Sequence, residues 1–131
     1  MPVVSQLIAA VVDCPEPRKL AAFYQALTGW AVTYENDDEV VAIGPARGDN
    51  THPDISFQRV DGYTAPTWPG QDVPQQFHLD FYTDDDLDTA EAAALVLGAT
   101  TAAHQPRPDR WRVMLDPVGH PFCLCLSPEQ S

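Results

Sequence analysis

Trp111 to Leu126, WRVMLDPVGHPFCLCL, is the stretch whose reading decides the fold. It reads as two short strands joined by Asp116-Pro117-Val118-Gly119: proline suits the first central position of a turn, and glycine takes a backbone conformation that side chains resist. Successive strand side chains point to opposite sides of a sheet. Phe122, Leu124 and Leu126 therefore share one face and Cys123 and Cys125 the other. The apolar set is expected to pack on helices, and the two cysteines to face an open side where a ligand would lie.

Upstream, Phe77 to Thr83 alternates in the same way, with Phe77, Leu79 and Phe81 against His78, Asp80 and Tyr82. Asp84, Asp85, Asp86 and Asp88 follow, where negative charge meets the unpaired N–H groups of a helix start. Leu87, Ala90, Ala94 and Leu97 make the apolar stripe of that helix, and Gly98 ends it. Thr100 to His104 is expected to add a strand.

The first half has the same order. Val3 to Val12 reads as a buried strand carrying Gln6, ended by Asp13, with Pro15 or Pro17 in the first helical turn. Leu20, Phe23, Tyr24 and Leu27 mark one face of a helix that Gly29 stops. Trp30 to Tyr34 and Glu39 to Gly44 form a hairpin over the acidic turn Glu35 to Asp38, and Ile55 to Val60 is a strand with Ser56 and Gln58 on one face. An internal repeat constrains a fold more than any single residue. Two tandem βαβββ modules are expected, residues 1–62 and 76–131, with 63–75 a proline-rich linker or lid. The predicted fold is α+β: a curved, mostly antiparallel eight-stranded sheet with two helices behind it.

The chain of 131 residues suits one domain with a real core. No apolar run approaches a membrane span and MPVVSQ lacks an export pattern, so a soluble cytoplasmic protein is expected. Cys14, Cys123 and Cys125 form no CxxC pair and are read as reduced. A net charge of −12 argues against nucleic acid and favours attraction of cationic ligands.

Taken together, VVDCPEPRKLAAFYQALTGW, HLDFYTDDDLDTAEAAALVLGA and MLDPVGHPFCLCL resemble the vicinal oxygen chelate superfamily, in its glyoxalase, bleomycin resistance and dioxygenase branch. The resemblance spans nearly the whole chain. One such fold hosts several chemistries and some pure binders. It implies metal ligands from the first and last strand of each module, which fall on Gln6, Gln58, His78 and Cys123. Where the family commonly shows asparagine and then glutamate after the turn, this chain has His120 and Cys123. A hard divalent ion wants carboxylate oxygens, and that set has none. The site therefore reads as degenerate in metal ligands, with no cofactor assigned.

The expected function is small-molecule binding in a cup, as in a resistance or sequestering protein. Gln6, Ser56, Gln58, Trp68, His78, Cys123 and Cys125 are its candidate lining, Trp68 closing over a flat organic ligand. The alternative is a metal-dependent lyase, isomerase or dioxygenase of the glyoxalase type, with a divalent metal on Gln6, Gln58 and His78 and with His78, Asp80 and Tyr82 as candidate catalytic groups. A third reading makes the chain a structural or regulatory module whose cup is filled by its own side chains, with His78 a hydrogen-bonded structural group. His52 and His104 read as solvated loop residues and His120 as part of the turn. The resemblance also implies pairing of modules, hence a homodimer.

Overall fold

A computed structural model describes residues 9–45, 53–75 and 78–126 of the chain. Gln6, His52, Phe77 and most of the strand expected over Val3 to Val12 lie outside the described residues. The chain divides into two units, Met1–Tyr63 and Thr64–Ser131. Among the described residues each carries one helix and one four-stranded mixed sheet, so the eight strands come as two sets of four within an α+β protein.

In the first unit the elements are β1 (Ala9–Cys14), α1 (Pro17–Thr28), β2 (Ala31–Asn36), β3 (Val40–Gly44) and β4 (Asp54–Arg59). The strand order is β1-β4-β3-β2, with β1 parallel to β4 and the other neighbours antiparallel. Asp13 does not end β1, which runs on to Cys14, and Val11 is 49% exposed where a buried strand was expected. The alternation explains this: Val12 and Cys14 turn to α1 while Val11 and Asp13 turn away.

Helix α1 begins with Pro17 in its first turn, where a missing N–H costs nothing. It ends at Gly29, whose φ of 77° lets its N–H reach back to the Gln25 carbonyl at 2.7 Å. Its face buries Leu20, Phe23 and Tyr24 against Val41 and Ile43 of β3 and Ile55 and Phe57 of β4. Tyr24 stacks on Phe57 with ring centres 5.3 Å apart. The β2–β3 turn has positive φ at both Asp37 and Asp38, the conformation that matches strand twist in a tight hairpin. Arg18 of α1 pairs with Glu35 and Asp38 beside it, which offsets part of the acidic cluster.

In the second unit the elements are β5 (Leu79–Thr83), α2 (Leu87–Leu97), β6 (Thr100–Thr101), β7 (Trp111–Leu115) and β8 (Pro121–Leu126). The order β5-β8-β7-β6 repeats that of the first sheet, again with one parallel pair, β5 and β8. Asp86 caps α2 by accepting the Thr89 N–H at 2.7 Å. Leu87, Ala90 and Ala94 are the buried stripe, packed with Met114, Phe122 and Leu124. Leu97, expected in that stripe, is 38% exposed. It lies in the last turn, where Gly98 already leads the chain towards β6.

The strand expected over Thr100 to His104 is only two residues long. A side chain continues it. The Gln105 amide donates to the carbonyls of Ala102 (2.9 Å) and Val113 (2.7 Å) and accepts the Val113 N–H (2.9 Å), standing where a strand backbone would pair with β7. Between β7 and β8, the turn at Asp116 has its expected form. Gly119, with φ 99°, donates to the Asp116 carbonyl at 2.9 Å, and the buried Asp116 carboxylate accepts the N–H groups of Val118 and His120, each at 3.0 Å.

Candidate functional site

The face of the second sheet turned away from α2 carries the candidate site. Alternation and register settle which residues share it: β5 and β8 are parallel neighbours with Asp80 opposite Cys123 and Tyr82 opposite Cys125, and Val113 and Trp111 of β7 stand opposite the same two cysteines. Ala102, Val113 and Cys123 form a buried apolar cluster there, with Trp68, Trp111, Leu115 and Cys125 packed against it. This side of the sheet has an apolar floor.

At the rim of that floor the polar groups gather. The His78 Nε2 lies 3.1 Å from the Asp80 Oδ1, and one donor atom from each of His78, Asp80 and Cys123 lies within 4.8 Å of the others. His78 and Asp80 are exposed, whereas Cys123 is only 6% exposed. Burial pushes the Cys123 thiol up to about 12, and the adjacent Asp80 charge and hydrogen bond push the same way. Burial, then Asp80, raises Cys125 too. In the protein alone both sulfurs are thiols at neutral pH and poor nucleophiles.

The segment before β5 is pinned to this unit. Thr67 closes a loop on Val73, its N–H donating to the Val73 carbonyl at 2.7 Å and its hydroxyl accepting the Val73 N–H at 3.0 Å. The loop sets Trp68 against the Cys123 cluster, its ring 5.6 Å from that of the exposed His104. Gln75 then ties the segment to the β7–β8 turn, with its amide oxygen 2.5 Å from the His120 Nδ1 and its amide nitrogen 3.4 Å from the Pro121 carbonyl.

The sequence candidates therefore fall into three groups. His78, Asp80, Cys123, Cys125 and Trp68 stand on or beside one sheet face of the second unit. Tyr82 is on the same face but two residues beyond Asp80 and 72% exposed. Ser56 and Gln58 are on β4 of the first unit, on the side away from α1, half-buried and exposed respectively; the Gln58 carbonyl accepts from the Cys14 thiol at 3.7 Å. Gln6 is outside the described residues. Sequence reasoning passed over Gln75 and Gln105 as site-shaping residues and left Trp111 open between core and rim. Only Trp111 had a legible signal, its place two residues before Val113 on a strand opposite the cysteines.

Residues 9–125 match the family model of the glyoxalase-like domain. The chain belongs to this family. No curated protein matches it. Among solved structures it is similar to a family enzyme from Burkholderia phytofirmans PsJN, at 19% identity over 92% of this chain and 97% of that one, with a TM-score of 0.65. It is also similar to a mutant of the fosfomycin resistance protein FosX from Listeria monocytogenes, complexed with Mn(II) and a dihydroxypropylphosphonic acid. Identity there is 19% over 98% of both chains, with a TM-score of 0.69. Glyoxalase I of Leishmania major is similar at 12% identity over 97% of this chain and 90% of that one, with a TM-score of 0.68. At such identities the likeness shows the fold.

His78, Asp80 and Cys123 offer one imidazole, one carboxylate and one sulfur, a mixed set that fits a borderline ion and fits a hard oxygen-seeking ion poorly. Such an ion, held by these residues, would supply a Lewis acid able to polarise a ligand oxygen. Among the described residues no helix is long and apolar enough to cross a membrane.

Proposed function

We propose that this protein binds a small organic molecule on the open face of its second module. One observation carries the reading: an exposed His78–Asp80 pair, able to fix the orientation of a polar group, borders a floor to which Trp68, Trp111, Val113 and Leu115 contribute. Ligand sites commonly join apolar and aromatic walls to a few directed polar groups. The net charge of −12 favours a cationic or basic ligand, since the field of the whole protein concentrates the opposite sign. Trp68 is the flat surface for the ligand and His78 the group that orients it. The protein is proposed to act as a homodimer in the cytoplasm.

A thermal-shift screen of cationic natural products tests this. A ligand at about 100 times its Kd stabilises the folded state by about 2.7 kcal/mol, a readily measured rise in melting temperature. The rise is expected to vanish in Trp68→Ala and to shrink in His78→Ala. A screen with no stabilising compound tells against binding as the function.

The donor group favours a second reading, a metal-dependent lyase, isomerase or dioxygenase. There His78 binds the ion and Asp80 or Tyr82 moves a proton. Elemental analysis of protein purified without chelator tests it: a metal content near zero, with no activity on adding an ion, removes that reading.

A further inference from the structure

We infer that Tyr82 and Trp111, standing on either side of Cys125 on the second sheet, form a slot for the planar ring of an aromatic cation. The inference rests on the reading of this face as a ligand site and names the class of ligand it takes. It needs no metal. The slot lies one row of residues along from the apolar cluster on which Trp68 packs.

Register sets the width of the slot. Tyr82 of β5 and Trp111 of β7 are both partners of Cys125 in β8, so the three residues form one row across the sheet, on the face turned away from α2. Neighbouring strands run about 4.8 Å apart, which puts the two outer backbones about 9.6 Å apart. Aromatic rings attract when their centres lie about 4.5–7 Å apart, so two rings rising from those strands are too distant to pair directly, whereas one flat ring between them makes two contacts of about 4.8 Å. Among the described residues neither ring stacks on another aromatic. The residue between them is a cysteine, small enough to leave the gap open. Trp111 is half-buried and packed on the apolar cluster, while Tyr82 is 72% exposed. One wall is fixed and the other can adjust to its guest.

Local chemistry then selects the charge. The faces of tyrosine and tryptophan are electron-rich and attract a cation within about 6 Å, so a ring that is itself positive gains from both walls. Asp80 stands two residues before Tyr82 on the same face, about 7 Å along the strand, with its side chain 62% exposed. Burial first and the Asp80 charge second raise the Cys125 thiol, so the floor of the slot is uncharged and the carboxylate acts on it from close by. A cationic substituent on the ring can therefore turn towards Asp80. An anionic ring meets repulsion from Asp80 and from the net charge of −12. An aliphatic cation satisfies the charge but offers no face to the two walls.

The test is equilibrium dialysis of the full-length protein against proflavine, a planar aromatic cation, at physiological salt, where attraction by the overall charge is screened beyond about 8 Å. Proflavine is expected to bind at one equivalent, whereas spermidine, an aliphatic cation, and naphthalene sulfonate, a planar anion, are not retained. Tyr82→Ala changes an exposed side chain and is expected to weaken proflavine at least roughly fivefold, the effect of removing one stacked aromatic wall, while Tyr82→Phe keeps the binding. Cys125→Leu fills the slot from below and is expected to block proflavine in a protein whose melting curve shows it folded. No retention of proflavine, equal retention of spermidine, an unchanged affinity in Tyr82→Ala, or undiminished binding by folded Cys125→Leu overturns the proposal. Stabilisation by other compounds through Trp68, without proflavine binding, removes the slot and leaves the small-molecule reading in place. Proflavine held through Tyr82 in a protein that no natural compound stabilises does the reverse.

Discussion

Gly119 shows how much one residue can decide. Its φ of 99° is a conformation that L side chains avoid, and a Cβ placed there would lie 2.9 Å from the Ala65 Cβ. Gly119→Ala is expected to destabilise the protein by about 2 kcal/mol or more: left-handed backbone costs a side-chain-bearing residue about 1–2 kcal/mol, and the contact adds to it. The double variant Ala65→Gly/Gly119→Ala should recover the contact and leave the backbone cost, which a pair of denaturant midpoints will separate. Equal stability in the two variants would show that Ala65 yields freely.

At the scale of the element, α2 links sequence to pH response. The Thr89 N–H, bonded to the Asp86 carboxylate, is the first cause holding Asp86 below the usual carboxylate range, with the Thr89 hydroxyl and the Arg112 charge adding to it. A folded-state pKa below the unfolded one means that the cap stabilises the fold above the ordinary carboxylate range and loses that contribution as pH falls through the folded value. Asp86→Asn keeps a capping oxygen but does not titrate. It is therefore expected to flatten the acid limb of the stability–pH curve, with little change at neutral pH; an unaltered acid limb counts against the cap's role.

The same helix shows what was legible beforehand. Its start and stop were written in Asp86 and Gly98, and Ala90 and Ala94 declared the buried face. Leu97 did not, because periodicity carries no information about where the sheet beneath a helix ends. The two-residue β6 was hidden for a related reason: Gln105 makes strand-like hydrogen bonds with its side chain, and nothing in a glutamine's sequence context distinguishes that from a loop. The site was half legible. Alternation placed His78, Asp80 and Tyr82 on one face and Cys123 and Cys125 on another such face. What brought Asp80 beside Cys123 was the register of two strands about 40 residues apart in the chain, which tertiary packing sets.

For the molecule as a whole, charge is the dominant long-range property. A formal charge of −12 leaves net self-repulsion, which salt screens within about 10 Å at 0.1 M. The melting temperature is expected to rise between low-salt buffer and physiological ionic strength. A fall would mean that local pairs such as Arg112 with Asp88 and Glu91, at 3.0 and 2.8 Å, outweigh the global repulsion.

The Gln105 amide also bears on solubility. A row of bare peptide groups beside a truncated outer strand is a template on which a neighbouring copy can add its own backbone. By occupying both hydrogen-bonding groups of Val113, a single glutamine blunts that template without lengthening the sheet, so the part of β7 beyond the end of β6 is covered by a side chain where a neighbouring backbone would otherwise add.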